Sequence, residues 1–65
     1  MPNNPIYEIV RDEKRQRAAR YREEAARLET IARADTDRAN RHELLDMATQ
    51  YQGLAQRLEA DLGAA

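Results

Sequence analysis

Apolar side chains in this chain recur at intervals of three and four residues along two stretches, and the rhythm lapses once, at Asp35-Thr36-Asp37. That spacing collects them on one face of a helix. A strand would need alternation, and no run of β-branched residues supplies it. The first stripe gathers Ile6, Tyr7, Val10, Ala18, Tyr21, Ala25, Leu28, Ile31 and Ala32, and the second Leu44, Met47, Ala48, Tyr51, Leu54, Ala55, Leu58 and Leu62. Lys14 and Arg17 fall inside the first stripe, where their aliphatic stems can cover apolar surface while the charges reach water. The short polar side chains at 35–37 can accept hydrogen bonds from the exposed N–H groups of a new helix, so the chain is expected to reverse there.

Asn4 followed by Pro5 reads as an N-cap and first helical residue, and Gly63 as a C-terminal stop. The fold class is therefore all-α: an antiparallel hairpin with helices over about 5–34 and 37–62, a single domain at 5–62, an N-terminal arm at 1–4 and a C-terminal tail at 63–65. Folding about residue 36 sets Leu28 opposite Leu44, Ala25 opposite Met47, Tyr21 opposite Tyr51, Ala18 opposite Leu54, Lys14 near Leu58 and Val10 opposite Leu62. The expected core and interface residues are Val10, Tyr21, Ala25, Leu28, Leu44, Met47, Tyr51, Leu54 and Leu58. Acid-to-base pairs four residues apart, Glu13–Arg17, Glu23–Arg27, Glu29–Arg33 and Asp37–Arg41, run in the orientation that supports helices. Gly53 falls opposite the second stripe, where a solvent-facing glycine costs helix propensity.

Composition limits what such a hairpin can do. Of 27 apolar residues in 65, 12 are alanine, and Cys, Phe and Trp are absent. Disulfides and thiolate metal sites are excluded, and a chain this short is not expected to enclose a catalytic pocket. A two-helix hairpin also lacks a third element to cover its seam, so self-association is the remaining staple. A coiled-coil-like homodimer, closed as a four-helix bundle with two-fold symmetry, is the expected assembly. The net charge of −1 implies neither a nucleic-acid nor a membrane partner.

Chemical motifs are sparse. His42-Glu43-Leu44-Leu45-Asp46 resembles the zinc-protease pattern H-E-x-x-H with Asp in place of the second His. No third ligand is apparent, and both residues sit away from the apolar stripe, whereas the chemistry needs an enclosed coordination site. There is no Ser or Cys nucleophile, the two glycines stand alone, and every Glu except Glu24 projects away from the stripe, which disfavours a di-metal bundle core. No enzyme activity, cofactor or metal is expected.

Nucleic-acid binding is the main alternative. Arg11, Lys14, Arg15, Arg17, Arg20 and Arg22 concentrate in the first half of the first helix, interleaved with Asp12, Glu13, Glu23 and Glu24. Only Arg11, Arg15 and Arg22 line one flank, few for the basic face that such binding uses. No window approaches the apolar length of a membrane span and no leader pattern is present, so a cytoplasmic protein without membrane attachment is expected.

At Arg20-Tyr21-Arg22-Glu23-Glu24-Ala25-Ala26-Arg27-Leu28 and at Glu43-Leu44-Leu45-Asp46-Met47-Ala48-Thr49-Gln50-Tyr51-Gln52-Gly53-Leu54-Ala55, the chain resembles a group of small uncharacterised helical-hairpin proteins frequent in alphaproteobacteria. Their pattern is Y-R-x-x-A-x-x-L, a short Asp-containing turn, then E-L-L-x-x-A-x-x-Y-x-x-L-A. The likeness spans about residues 18–60. It implies a cytoplasmic helical hairpin and assigns no activity. Asp37-Arg38 stands where that group has Asp-Pro. The expected function is that of a non-enzymatic interaction or regulatory protein, a homodimer that can dock a partner's helix along its seam near Lys14 and Arg17.

Overall fold

The computed structural model describes residues 5–63. Two helices account for nearly all of them: α1, Pro5–Ala34, and α2, Arg38–Gly63. No strand occurs among the described residues. The expected arm at 1–4, its Asn4 cap and the tail residues 64–65 lie outside them.

The reversal at 35–37 is built from its two aspartates. Asp35 Oδ1 accepts a hydrogen bond from the Asp37 N–H at 2.8 Å, which holds the turn. Asp37 Oδ1 then accepts from the Ala39 N–H at 2.9 Å and the Asn40 N–H at 3.3 Å, so Asp37 is the N-cap of α2 and Arg38 its first helical residue. At the far end, Gly63, the last described residue, is itself helical and takes no left-handed conformation. The expectation that it stops the helix from outside is corrected by one position.

The helices pack antiparallel through a narrow seam. Ala18, Ala25, Leu28 and Ala32 are buried from α1, and Ala48 and Ala55 from α2. Tyr21, Leu44, Tyr51, Leu58 and Leu62 are half-buried between and beyond them. On both helices these positions follow each other at strictly alternating steps of three and four. Alanine falls at every seventh residue, at 18, 25 and 32 and again at 48 and 55. A methyl group at that repeat lets two backbones approach closely, which leaves space for few large side chains. Leu28 is the largest of the buried residues named.

This close approach modifies the expected register in one respect. Tyr21 meets Tyr51, with ring centroids 5.8 Å apart and tilted by 42°, and Leu28 packs with Leu44, as the fold about residue 36 requires. Ala25, however, clusters with Ala48 rather than Met47, and Ala55 is buried where Leu54 is 40% exposed. The seam is too thin for Met47 and Leu54, which stand one position earlier and turn outward beside it.

The molecule is a rod, 56 × 15 × 11 Å, with a radius of gyration of 15.6 Å, where a compact domain of this length would have about 11 Å. Its accessible surface of 5138 Å² exceeds the roughly 4,200 Å² of a compact monomer of this mass. Gly63, the last described residue of α2, is level with about Val10 of α1, and Ile6, Tyr7 and Ile9 at the start of α1 are largely exposed.

Candidate interaction surface

Side chains next to the seam fall on two flanks, and the sequence fills them differently. On one flank stand Arg15, Arg22 and Glu29 of α1 with Gln52 and Glu59 of α2, and Leu45, 45% exposed, at its turn end. Here the helices are clasped by polar groups. Arg22 donates from Nε to Glu59 Oε2 at 3.0 Å and from Nη2 to Oε1 at 2.6 Å, and Gln52 Nε2 donates to Glu29 Oε2 at 3.0 Å. The bidentate geometry raises the Arg22 pKa and holds the Glu59 carboxyl below the ordinary glutamate value, in each case chiefly through the side-chain hydrogen bond.

The other flank carries Val10, Arg17, Glu24 and Ile31 of α1 beside Met47, Leu54 and Asp61 of α2. Its four apolar members are 42%, 40%, 44% and 40% exposed for Val10, Ile31, Met47 and Leu54. Met47, Gln50, Tyr51 and Leu54 line a shallow concavity at its centre. Its charges make one pair within α1 and one longer ion pair across to α2. Arg27 binds Glu24 on the same helix, at 3.1 Å from Nε and 2.6 Å from Nη2, and this hydrogen bonding lowers the Glu24 pKa. Lys14 Nζ lies 3.9 Å from Asp61 Oδ2. Arg17 makes no ion pair among the described residues.

The residues expected in the core and interface divide between these places. Ala25 and Leu28 are buried in the seam, and Tyr21, Leu44, Tyr51 and Leu58 line it half-buried. Val10, Met47 and Leu54 stand on the open flank. Of the arginines considered for nucleic-acid contact, Arg22 is engaged by Glu59, Arg15 lies 3.6 Å from Asp12, and Arg11 is half-buried with its Nε enclosed and without an acceptor. Arg11 fills the end of the seam rather than joining a basic face. His42 Nε2 lies 3.6 Å from Asp46 Oδ2 with both side chains exposed, and among the described residues no three His, Cys, Asp or Glu groups converge to hold a metal ion. No helix among them is long and apolar enough to cross a membrane.

Two features escaped the sequence reading. Arg27 takes Glu24 three residues away instead of Glu23, and Glu29, expected to point outward, borders the seam and meets Gln52. Both follow from which flank a position occupies. The signal was present in the residues immediately after Tyr21, Leu28, Tyr51 and Leu58, which are all polar and opposite in donor or charge character across the hairpin. No protein-family model, curated protein or solved structure matches the chain, so the functional reading rests on these surfaces.

Proposed function

We propose that this chain is a non-enzymatic helical module that works by self-association, forming a coiled-coil-like four-helix bundle whose remaining surface engages other proteins. One observation carries the reading: Val10, Ile31, Met47 and Leu54 lie along a single flank at 40–44% exposure, beside a seam made largely of alanine. Covering that flank removes apolar area from water at about 25 cal/mol per Å², and a hairpin whose own core is this thin gains much of its stability that way. Folding and association are then one equilibrium.

Absolute mass by light scattering across a concentration series, read alongside helicity, tests this. The expected result is a dimer whose dissociation on dilution is accompanied by loss of helix, and a Leu54→Asp variant that loses both at concentrations where the parent keeps them. A Leu54→Asp chain that retains native mass and melts no earlier overturns the reading. The same samples test a nucleic-acid partner, for which binding would fall steeply with salt and vanish when Arg11, Arg15 and Arg22 become Gln.

A further inference from the structure

Resting on the self-association reading above, we propose that the occupant of the open flank is a second copy of this chain turned end for end, so that each α1 lies along the other α1 and each α2 along the other α2. A two-fold interface must be complementary to itself, and the order of residues on this flank meets that condition in one arrangement only. Along α1 the flank reads Val10, Arg17, Glu24, Ile31: apolar, cationic, anionic, apolar. Reversed upon itself, it places Val10 against the partner's Ile31 and Arg17 against the partner's Glu24. Along α2 it reads Asn40, Met47, Leu54, Asp61, and the same reversal sets Met47 against the partner's Leu54 and leaves the polar ends together.

The two series also share a centre. The midpoint on α1 falls between Arg20 and Tyr21 and that on α2 between Gln50 and Tyr51, and the hairpin itself stacks Tyr21 on Tyr51. One axis across the helices at the tyrosine pair therefore serves both, to within about 1.5 Å, the rise of one residue. The competing two-fold axis, along the helices, lays each α1 over the partner's α2 at equal height. Arg17 then faces the partner's Leu54, Glu24 the partner's Met47 and Val10 the partner's Asp61, so charges are pressed on apolar groups throughout. The end-for-end copy avoids this and uses Arg17, which makes no ion pair among the described residues. The Glu24 carboxylate, though held by Arg27, has lone pairs left for a second donor. The exposed first turns of α1 meet the last turn of the partner's α1.

The absence of cysteine makes the test direct. A Thr36→Cys chain, spin-labelled at this exposed turn position, reports the distance between the two turns by dipolar spectroscopy while its mass is measured in parallel. The end-for-end dimer puts the turns at opposite ends of the bundle, about 45 Å apart at 1.5 Å per residue. A dimer with turns within about 20 Å, as neighbouring helices at 8–10 Å would place them, overturns the arrangement while leaving self-association standing, and a monomer overturns both. A second measurement reads the charges themselves. Mixed Arg17→Glu and Glu24→Arg chains are expected to form heterodimers well above the statistical half by native mass spectrometry. Arg20→Glu mixed with Glu23→Arg, which carries the same change in net charge off the flank, is expected to stay statistical. Equal behaviour of the two mixtures overturns the Arg17–Glu24 contact.

Discussion

The two flanks of this hairpin border the same alanine seam and differ in what they do with it. One is spanned by Arg22–Glu59 and Gln52–Glu29 and exposes a single large apolar side chain, Leu45, by the turn. The other exposes Val10, Ile31, Met47 and Leu54 around a shallow concavity. The contrast separates two tasks that a larger domain would merge in one core. Long-range polar pairs on the clasped flank fix how α1 and α2 align, because only one register brings a fork of donors onto a carboxylate. The apolar flank is the one that the proposed self-association would cover. Under the proposed self-association, a flank clasped by polar pairs and apolar only at Leu45 by the turn would confine assembly to the opposite face.

The largest way to break the comparison is to remove what both flanks share. Leu28→Ala deletes the one large buried side chain of the seam and is expected to cost about 2–5 kcal/mol. That is comparable to the total of about 3–5 kcal/mol that a core of this size supplies. Circular dichroism should show little helix at room temperature, and a cooperative melt close to that of the parent would contradict a seam held by Leu28. Next in size is conversion of the clasped flank. Arg22→Leu combined with Glu59→Leu makes both flanks apolar, and light scattering should then report species larger than the parent assembly at equal concentration. An unchanged mass would mean that the polar pairs do not limit assembly.

Much of this architecture was legible in the sequence because helical periodicity and cap chemistry are local properties. The stripes, the reversal at Asp35-Thr36-Asp37 and the pairing of Tyr21 with Tyr51 and Leu28 with Leu44 all follow from spacing. What spacing leaves undetermined is how close the two axes come. Hydropathy placed Met47 and Leu54 at the centre of the stripe, since large apolar residues dominate any such average. The Ala18-Ala25-Ala32 and Ala48-Ala55 repeats draw the helices together and displace them to the side. The same close packing brings Glu29 to the seam edge beside Gln52 and Arg22 across to Glu59. The exposed apolar flank follows from that close packing, so it became visible only with both helices in place.

Gly53 offers a smaller perturbation that sharpens the comparison without touching either flank. Helical spacing sets it opposite the seam positions Tyr51 and Ala55, and a methyl group added there would meet nothing within 4 Å beyond its own stretch of helix backbone. Gly53→Ala is expected to stabilise by about 1 kcal/mol through helix propensity alone. The melting temperature should rise at every protein concentration while its dependence on concentration keeps the same slope. A destabilised variant would show that another chain packs on the back of α2.

The smallest effect concerns the carboxylates. Glu59 and Glu24 both sit below the ordinary value of 4.5 because Arg22 and Arg27 hydrogen-bond their ionised forms. A carboxyl depressed in the folded state contributes stability that is present above the unfolded value and is lost as pH falls through the folded one. Melting temperature should therefore decline as acid is added below about pH 4.5, the range in which unfolded glutamates begin to bind protons. The two groups differ in reach: Arg22–Glu59 joins α1 to α2, whereas Glu24–Arg27 lies within α1. Glu59→Gln should lower the neutral-pH melt and flatten its acid limb, and salt should reduce the difference between parent and variant. Glu24→Gln should change the acid limb less, since α1 keeps its packing without that pair. Parallel acid limbs for the parent and Glu59→Gln would remove the clasp from the account of the closed flank and leave alanine packing alone to set the register.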